Sequence, residues 1–560
     1  MPPAHACSAC KRRKVKCDGL EPCSNCRISH LDCTYSNPST RRSQRLRSVP
    51  VESGEEDHSF GGGVDYGLRS SMSAQSSPIA DFEPNHRDSS LNLNLNLNFY
   101  PDPAYVHSTL QATAGALLSP EPILDAVHKC VDFFLQYQFP NTPIAHEPTL
   151  RAAALLVTAE SDPPFASLVS SASDIHQRVS YLRRFTLVAA LCASVMSVLP
   201  DCLPSRRALL SAPFLSASRA MLRTYEEHDL EHPDSTSLLI RMWHSAAMQN
   251  STGRVGTSYH YHAEAAYLAQ RMKLYNETSL QQHSRSETPS LRASFWLLYL
   301  ADKTSTVLQS RPPILIEEIF KQDFTLLENG DSGELLLDPS RKVNGDGLES
   351  RLFVGFHLKR RIWTAAANLL NDIRSLSGRQ LQGTIEPVDI HLEVSRLSEL
   401  YLSFTSLADQ LPAWLRNPLY GSVSDDEHVT SYQSKCFWTQ RSNIMTVFHC
   451  TKLVILQECI DNDFHALVGL NHHFIAWATR KTEIVRDFLH ELHIVPFYCF
   501  QVQGETAVER IRRVGTILLH LVYNAENDTI EKVARSQFDN LLDLLAQLDS
   551  KASDELAGGL

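Results

Sequence analysis

CSACKRRKVKC at residues 7–17 and CSNCRISHLDC at residues 23–33 are one cysteine phrase written twice. Each reads Cys-x2-Cys-x6-Cys: Cys7, Cys10 and Cys17 in the first half, Cys23, Cys26 and Cys33 in the second. A Cys-x2-Cys pair chelates one metal ion and a third thiolate six residues on closes the same side, which leaves a tetrahedral zinc site one ligand short in each half. Sharing removes the shortage, because six thiolates fill two four-coordinate zinc ions when two of them bridge. A module this small cannot bury enough apolar surface to fold alone, and a structural zinc site supplies on the order of 10–16 kcal/mol of apparent binding energy instead. A disulfide knot would need an oxidising compartment, and MPPAHACSACKRRK has no apolar signal region to direct it there. Iron–sulfur ligation uses tighter spacings such as Cys-x2-Cys-x2-Cys.

Charge separates the same segment from the rest. The 560-residue chain has a formal net charge of -11, yet residues 1–48 hold ten Lys and Arg against three acidic residues. A basic head on an acidic body fits a polyanion partner for the head alone. Five of the cations, Lys11, Arg12, Arg13, Lys14 and Lys16, lie between Cys10 and Cys17. Two zinc ions and six thiolates sum to a negative cluster, so these side chains reverse the sign on the surface that docks. The second half offers only Arg27 and His30 beside Asp32, and is expected to support the fold. A nuclear-import patch is the blander reading of KRRKVK, and both roles can coexist.

Residues 7–33 resemble the fungal binuclear zinc cluster (Zn2Cys6) DNA-binding domain in cysteine spacing, basic insert and the proline, Pro22, that joins the halves. The resemblance implies that Cys7 and Cys23 bridge the two zinc ions and that the short helix after Cys10 enters the major groove. It further implies that Arg13 and Lys14 read the base edges of a CGG-type triplet. Both side chains suit guanine, whose N7 and O6 are acceptors on that edge. Lys11, Arg12 and Lys16 are then expected on phosphates, fixing register without reading sequence.

The expected fold class is a small zinc-nucleated domain with two short helices, joined by a disordered linker to a large all-α domain. The expected boundaries are 1–48 for the DNA-binding domain with its basic extension, 49–119 for the linker, 120–550 for the helical domain and 551–560 for a flexible tail. Arg41, Arg42, Arg45 and Arg47 form a second basic cluster past the zinc module. SGEEDHSFGGGVDYG, SSMSAQSSP and LNLNLNLN have the composition of disorder. No heptad run follows the cluster and Pro50 would interrupt one, so dimerisation through the linker is not expected.

From Glu121 onward the apolar residues recur with a helical period. ILDAVHKCVDFFLQYQF at 123–139 places Val127, Cys130, Val131, Phe134 and Leu135 on one face, and Pro140 stops it. FTLVAALCASVMSVL at 185–199 is too short for a bilayer span and reads as a buried helix. The seven remaining cysteines have no repeated spacing and read as small buried apolar residues. Helices at 259–275 and 291–308 resemble the fungal transcription factor regulatory domain, the middle homology region. The matching residues are Arg292, Phe295, Trp296, Tyr299, Asp302 with Lys303, and Arg311 with Pro312, while Ser310 stands where that family has Gly.

No Walker A, GxGxxG, GxSxG or HExxH pattern occurs, and His472-His473 and Asp425-Asp426 lack ligand or catalytic spacing, so no enzyme activity is expected. FDNLLDLLAQLDS at 538–550 reads as a terminal packing helix, with an acidic activation segment as the alternative there and in DFEP at 81–84. The expected function is a nuclear, sequence-specific transcription regulator, in sense an activator, that governs a metabolic pathway or a secondary-metabolite gene cluster. Its expected partners are double-stranded DNA, transcription machinery or co-regulators, and a small-molecule effector, with no membrane. The rival is a zinc-stabilised protein-interaction module without base readout.

Overall fold

The computed structural model describes residues 7, 17, 20, 22–23, 26–27, 33–34, 101–119, 121–157, 164–198, 209–316, 334–422 and 424–548. The chain divides into two compact units, Met1–Asn92 and Leu93–Leu560. Among the described residues there is no β-strand. The stretches SGEEDHSFGGGVDYG and LNLNLNLN, DFEP, the second basic cluster and residues 551–560 lie outside the described residues.

Among the described residues the regular elements of the second unit are all helices. Its helices of eight residues or more are α1 Pro103–Leu118, α2 Ile123–Phe133, α3 Glu147–Ala154, α4 Ile175–Val198, α5 Ser211–Arg223, α6 Ser235–Thr252, α7 Val255–Arg271, α8 Thr288–Gln309, α9 Leu348–Leu381, α10 Pro387–Thr405, α11 Glu427–Asp461, α12 Phe474–Ile494, α13 Glu505–Tyr523 and α14 Asp528–Gln547. The helical reading of the body is therefore correct, but its start is not. The expected linker runs to residue 119, whereas α1 begins at Pro103. Asp102 caps it by accepting the Ala104 amide, Pro103 sits where its missing N–H costs nothing, and Val106, Leu110, Ala114 and Leu118 bury a stripe spaced by four. Ser108, Thr109, Thr113 and Gly115 dilute that stripe, so local composition resembles the polar stretch before it.

Two groups of helices pack through α8. In the first, α4 lies against α5 and α6, and α6 against α7; in the second, α9 packs on α11, α11 on α12 and α13, and α13 on α14. Helix α8 touches α6 and α7 on one side and α9, α11 and α13 on the other. Residues 185–198 of that run form the C-terminal half of α4, which is long and apolar enough to cross a membrane by composition alone, yet 83% of that apolar window is buried inside the fold. Full burial of residues such as Phe185, Leu187, Val188 and Leu191 contributes about 1.5–3 kcal/mol each. Helix α14 buries Ala534, Phe538, Leu541 and Leu545 against its neighbours, which is the packing-helix reading of 538–550.

Buried charges fix the joints between these elements. The Asp229 carboxylate, fully buried, accepts from Arg183 at 2.8 Å, Arg241 at 2.7 Å and the Ser237 hydroxyl at 2.6 Å. The buried Glu147 carboxylate accepts from Arg151 and Arg341, from Asn344 and from the Asp338 amide. Burial alone would raise the pKa of Glu147, but these donors hold it below the usual carboxylate range. Where α9 crosses α11, Gly355 leaves room for Gln440, whose amide donates to the carbonyls of Pro140 at 2.6 Å and Leu352 at 2.7 Å.

Candidate metal centre

The sulfurs of Cys7, Cys23, Cys26 and Cys33 all lie within 4.8 Å of one another. Cys7 Sγ is 3.8 Å from Cys23 Sγ and 3.6 Å from Cys26 Sγ. A tetrahedron of thiolates about zinc, with Zn–S near 2.3 Å, has edges of about 3.8 Å, so the spacing matches a four-coordinate zinc site. Cys7, Cys23 and Cys26 are buried at 0%, 0% and 1% exposure, and among the described residues Cys17 and Cys33 pack against them. The backbone holds the sulfurs in place: the Cys23 amide donates to Cys33 Sγ at 3.2 Å and the Cys26 amide to Cys23 Sγ at 3.4 Å. The Arg27 amide donates to the Cys23 carbonyl at 2.9 Å, which closes one helical turn on the Cys-x2-Cys pair.

The composition of this quartet matters more than its size. Three members belong to the second half of the repeat and one, Cys7, to the first. The fourth ligand that the second half lacks is thus supplied by the first half. Cys17 packs against the same buried trio. Cys10 and the five cations Lys11, Arg12, Arg13, Lys14 and Lys16 lie outside the described residues.

The other cysteines behave differently. Cys130, Cys192, Cys436, Cys450, Cys459 and Cys499 are buried free thiols in the helical unit. Burial pushes Cys450, Cys459 and Cys499 up to about 12, far from the thiolate that a metal requires. They are core residues, in keeping with their irregular spacing.

The residues at 292–312 hold the helical unit together. Arg292 is ion-paired with Glu277, and Trp296 packs edge-to-face against Phe295 and Tyr299, with Arg360 lying 4.0 Å over the Trp296 ring. The Asp302 carboxylate accepts from the Ile314 amide at 2.8 Å and the Leu315 amide at 3.0 Å, tying down the turn that leaves α8. Ser310 ends that helix at φ 53 and ψ 33, the left-handed conformation that favours glycine.

His472 meets residues that its spacing did not announce. Its ring lies 4.4 Å from that of His465, and Asp463 Oδ1 is 3.7 Å from His472 Nδ1 and 3.8 Å from His465 Nδ1. Asp463 and His472 are both open to solvent, as in a surface ion pair. Sequence reasoning also missed two buried cations, Lys359 and Arg510, that face a cavity. Each sits on an apolar helical stripe, Lys359 with Leu352, Phe356 and Trp363, and Arg510 with Ala507 and Val514, which was the available signal.

Residues 5–42 match the fungal Zn(2)-Cys(6) binuclear cluster domain. The chain therefore carries a zinc cluster domain of the fungal Zn(2)-Cys(6) type at its N-terminus, and the donor set above fits zinc. Curated relatives match over short stretches, three of them as follows. An uncharacterized transcriptional regulatory protein of Schizosaccharomyces pombe is 58% identical over 38 residues, 7% of this chain and 5% of the relative. A maltose fermentation regulatory protein of Saccharomyces cerevisiae is 55% identical over 47 residues, 8% and 10% of the two chains. The fumonisin cluster-specific transcription factor of Gibberella moniliformis is 53% identical over 34 residues, 6% and 5%. The matches thus span no more than a tenth of these relatives. The large helical remainder is consistent with a regulatory domain.

Proposed function

We propose that this protein is a nuclear transcription regulator that binds double-stranded DNA through its zinc cluster and recognises CGG-type triplets. The observation that carries the proposal is the completion of the second-half thiolate set by Cys7. It supports a cluster in which Cys7, Cys10, Cys17, Cys23, Cys26 and Cys33 hold two zinc ions, with Cys7 and Cys23 shared. Zinc supplies the cross-links that a segment with so little apolar surface cannot make for itself. Arg13 and Lys14 then reach guanine edges, while Lys11, Arg12 and Lys16 contact phosphate. The helical unit is the regulatory part, which engages transcription machinery or co-regulators and responds to a small-molecule effector. Relatives named for maltose fermentation and for a fumonisin cluster support control of a metabolic or secondary-metabolite pathway, with activation as the sense of control. No catalytic role is proposed.

Promoter occupancy of the full-length chain, with Cys17→Ala as control, tests this proposal. Peaks over CGG-type triplets that vanish in the control are expected. A flat profile under inducing and non-inducing growth would refute DNA targeting and leave a zinc-stabilised protein-interaction module.

A further inference from the structure

A cavity of about 330 Å3 lies at the seam between the two helical groups, lined by α6, α7, α8, α9 and α13 and by the turn after α2. Trp243, Trp363, Tyr137, Tyr259 and Leu297 give it a largely apolar wall. Lys359 and Arg510 also line it, and each is 4% exposed. Among the described residues neither forms an ion pair with a carboxylate. Lys359 Nζ donates to the Asn141 carbonyl at 2.8 Å, Arg510 donates to Gln503 Oε1, and Arg510 Nε is buried with no hydrogen-bond partner. The one carboxylate of the lining, Glu509, is held by Arg512 at 3.0 Å. A third cation of the lining, Arg311, stacks 4.3 Å over the Tyr259 ring.

Buried cations are costly unless an anion or a full set of acceptors offsets them. Here two face one cavity and repel each other. Burial, then Arg510, pushes Lys359 down to about 7, and burial brings Arg510 down to about 10. An anion in the cavity reverses both effects, and an apolar wall suits the body that carries it.

We infer that this cavity binds a small organic anion, a carboxylate or phosphate monoester on an aromatic or aliphatic body, with its acid group met by Lys359 and Arg510. The inference deepens the effector reading above and rests on it for the transcriptional consequence, though not for binding itself. A ligand at this seam touches both helical groups, so any preference for one packing of the two shifts their equilibrium.

Calorimetric titration of the full-length, zinc-loaded chain with benzoate, phenyl phosphate and neutral benzamide tests it. Saturable binding of at least one of the two anions is expected, with none for benzamide, and the anion that binds identifies the acid group. Lys359→Met and Arg510→Met should each weaken binding about tenfold or more while far-UV circular dichroism is unchanged. If Arg510→Met does not fold, Lys359→Arg should retain binding that Lys359→Met loses. No saturable binding of either anion, equal binding of benzamide, or undiminished binding by the Met variants would overturn the inference. Binding of the same preparation to a CGG-containing duplex separates the two failures: lost duplex binding with intact anion binding refutes only the regulator reading, and the converse refutes only the cavity ligand.

Discussion

Replacing Lys359 with Met should make the ligand-free protein more stable. In the folded chain burial and then the neighbouring Arg510 lower the ammonium pKa from 10.5 to about 7. At about 1.4 kcal/mol per pKa unit, holding this charge inside costs on the order of 4–5 kcal/mol once it is fully protonated. Met also forfeits the bond to the Asn141 carbonyl, about 1–3 kcal/mol, although Asn141 lines the cavity and water can replace that donor. The expected net gain is about 1–4 kcal/mol, the range seen when buried ions give way to apolar side chains of similar volume. The sign of the pH dependence follows from the depressed pKa. Between the folded value near 7 and the unfolded value near 10.5 the unfolded chain binds the extra proton, so stability rises with pH across that window and the full penalty applies below it. Of the other titratable groups in the lining, His262 is pushed down to about 4 by burial and Arg510 to about 10, so neither titrates in the lower half of that window. Urea unfolding at about pH 6.5 and about pH 9 should show wild type gaining more stability with pH than Lys359→Met, which keeps only the rise from groups such as Lys481, lowered by burial to about 8. A variant less stable than wild type at both pH values would mean that Lys359 is a structural strut, and the cost assigned to its burial would be wrong.

Asp229→Ala should destabilise the helical unit by about 3–5 kcal/mol, because Arg183 and Arg241 lose their shared buried carboxylate; a change in urea midpoint equivalent to less than about 1 kcal/mol would refute that role. Gly355→Ala places a Cβ 2.1 Å from Gln440 Oε1 and should cost about 1–3 kcal/mol, measured the same way. An unchanged midpoint would show that Gln440 can leave both of its carbonyl partners freely. Cys17→Ala should abolish folding of the zinc module, and an unaltered zinc-to-protein ratio would contradict a cluster built on shared thiolates. Lys14→Ala should relax discrimination among triplets by about 1–3 kcal/mol, whereas an equal loss on all duplexes would make Lys14 a phosphate contact.

The metal centre was legible because ligand chemistry fixes both residue type and spacing, so a cysteine phrase repeated with the same intervals points to bound metal. The helical unit was legible where apolar residues recur in long runs, as along α4 and α8. It was misjudged at α1, where a single buried residue per turn among serine and threonine carries too little contrast. The cavity could not be read at all. Lys359 belongs to HLKRR, which in sequence is a charge run, and its helical register with Leu352, Phe356 and Trp363 was the one sign of which member turns inward. Asp463, His465 and His472 likewise meet through a loop whose path no periodicity encodes. Ser310 shows the opposite case, since the position where the resembled regulatory domain has glycine takes in this chain a left-handed backbone that carries a side chain.

Helix α2 does not end as an ordinary helix. Phe134–Gln138 forms one π-helical turn, with the Phe139 amide donating to the Phe134 carbonyl at 2.7 Å. Such a turn holds one residue more than the α-helix it interrupts. That extra residue lets Phe134 and Leu135 stay in the core while Tyr137 and Gln138 reach the cavity wall. Beyond it the chain is pinned, through the carbonyls of Pro140 and Asn141, by Gln440 and Lys359. Loss of a single codon within this turn would restore the α-helical ladder and swing Tyr137 and Gln138 about 100° away, leaving the core face of α2 intact. Among descendants of a common ancestor, possession of the cavity should therefore follow the length of this segment rather than its overall similarity.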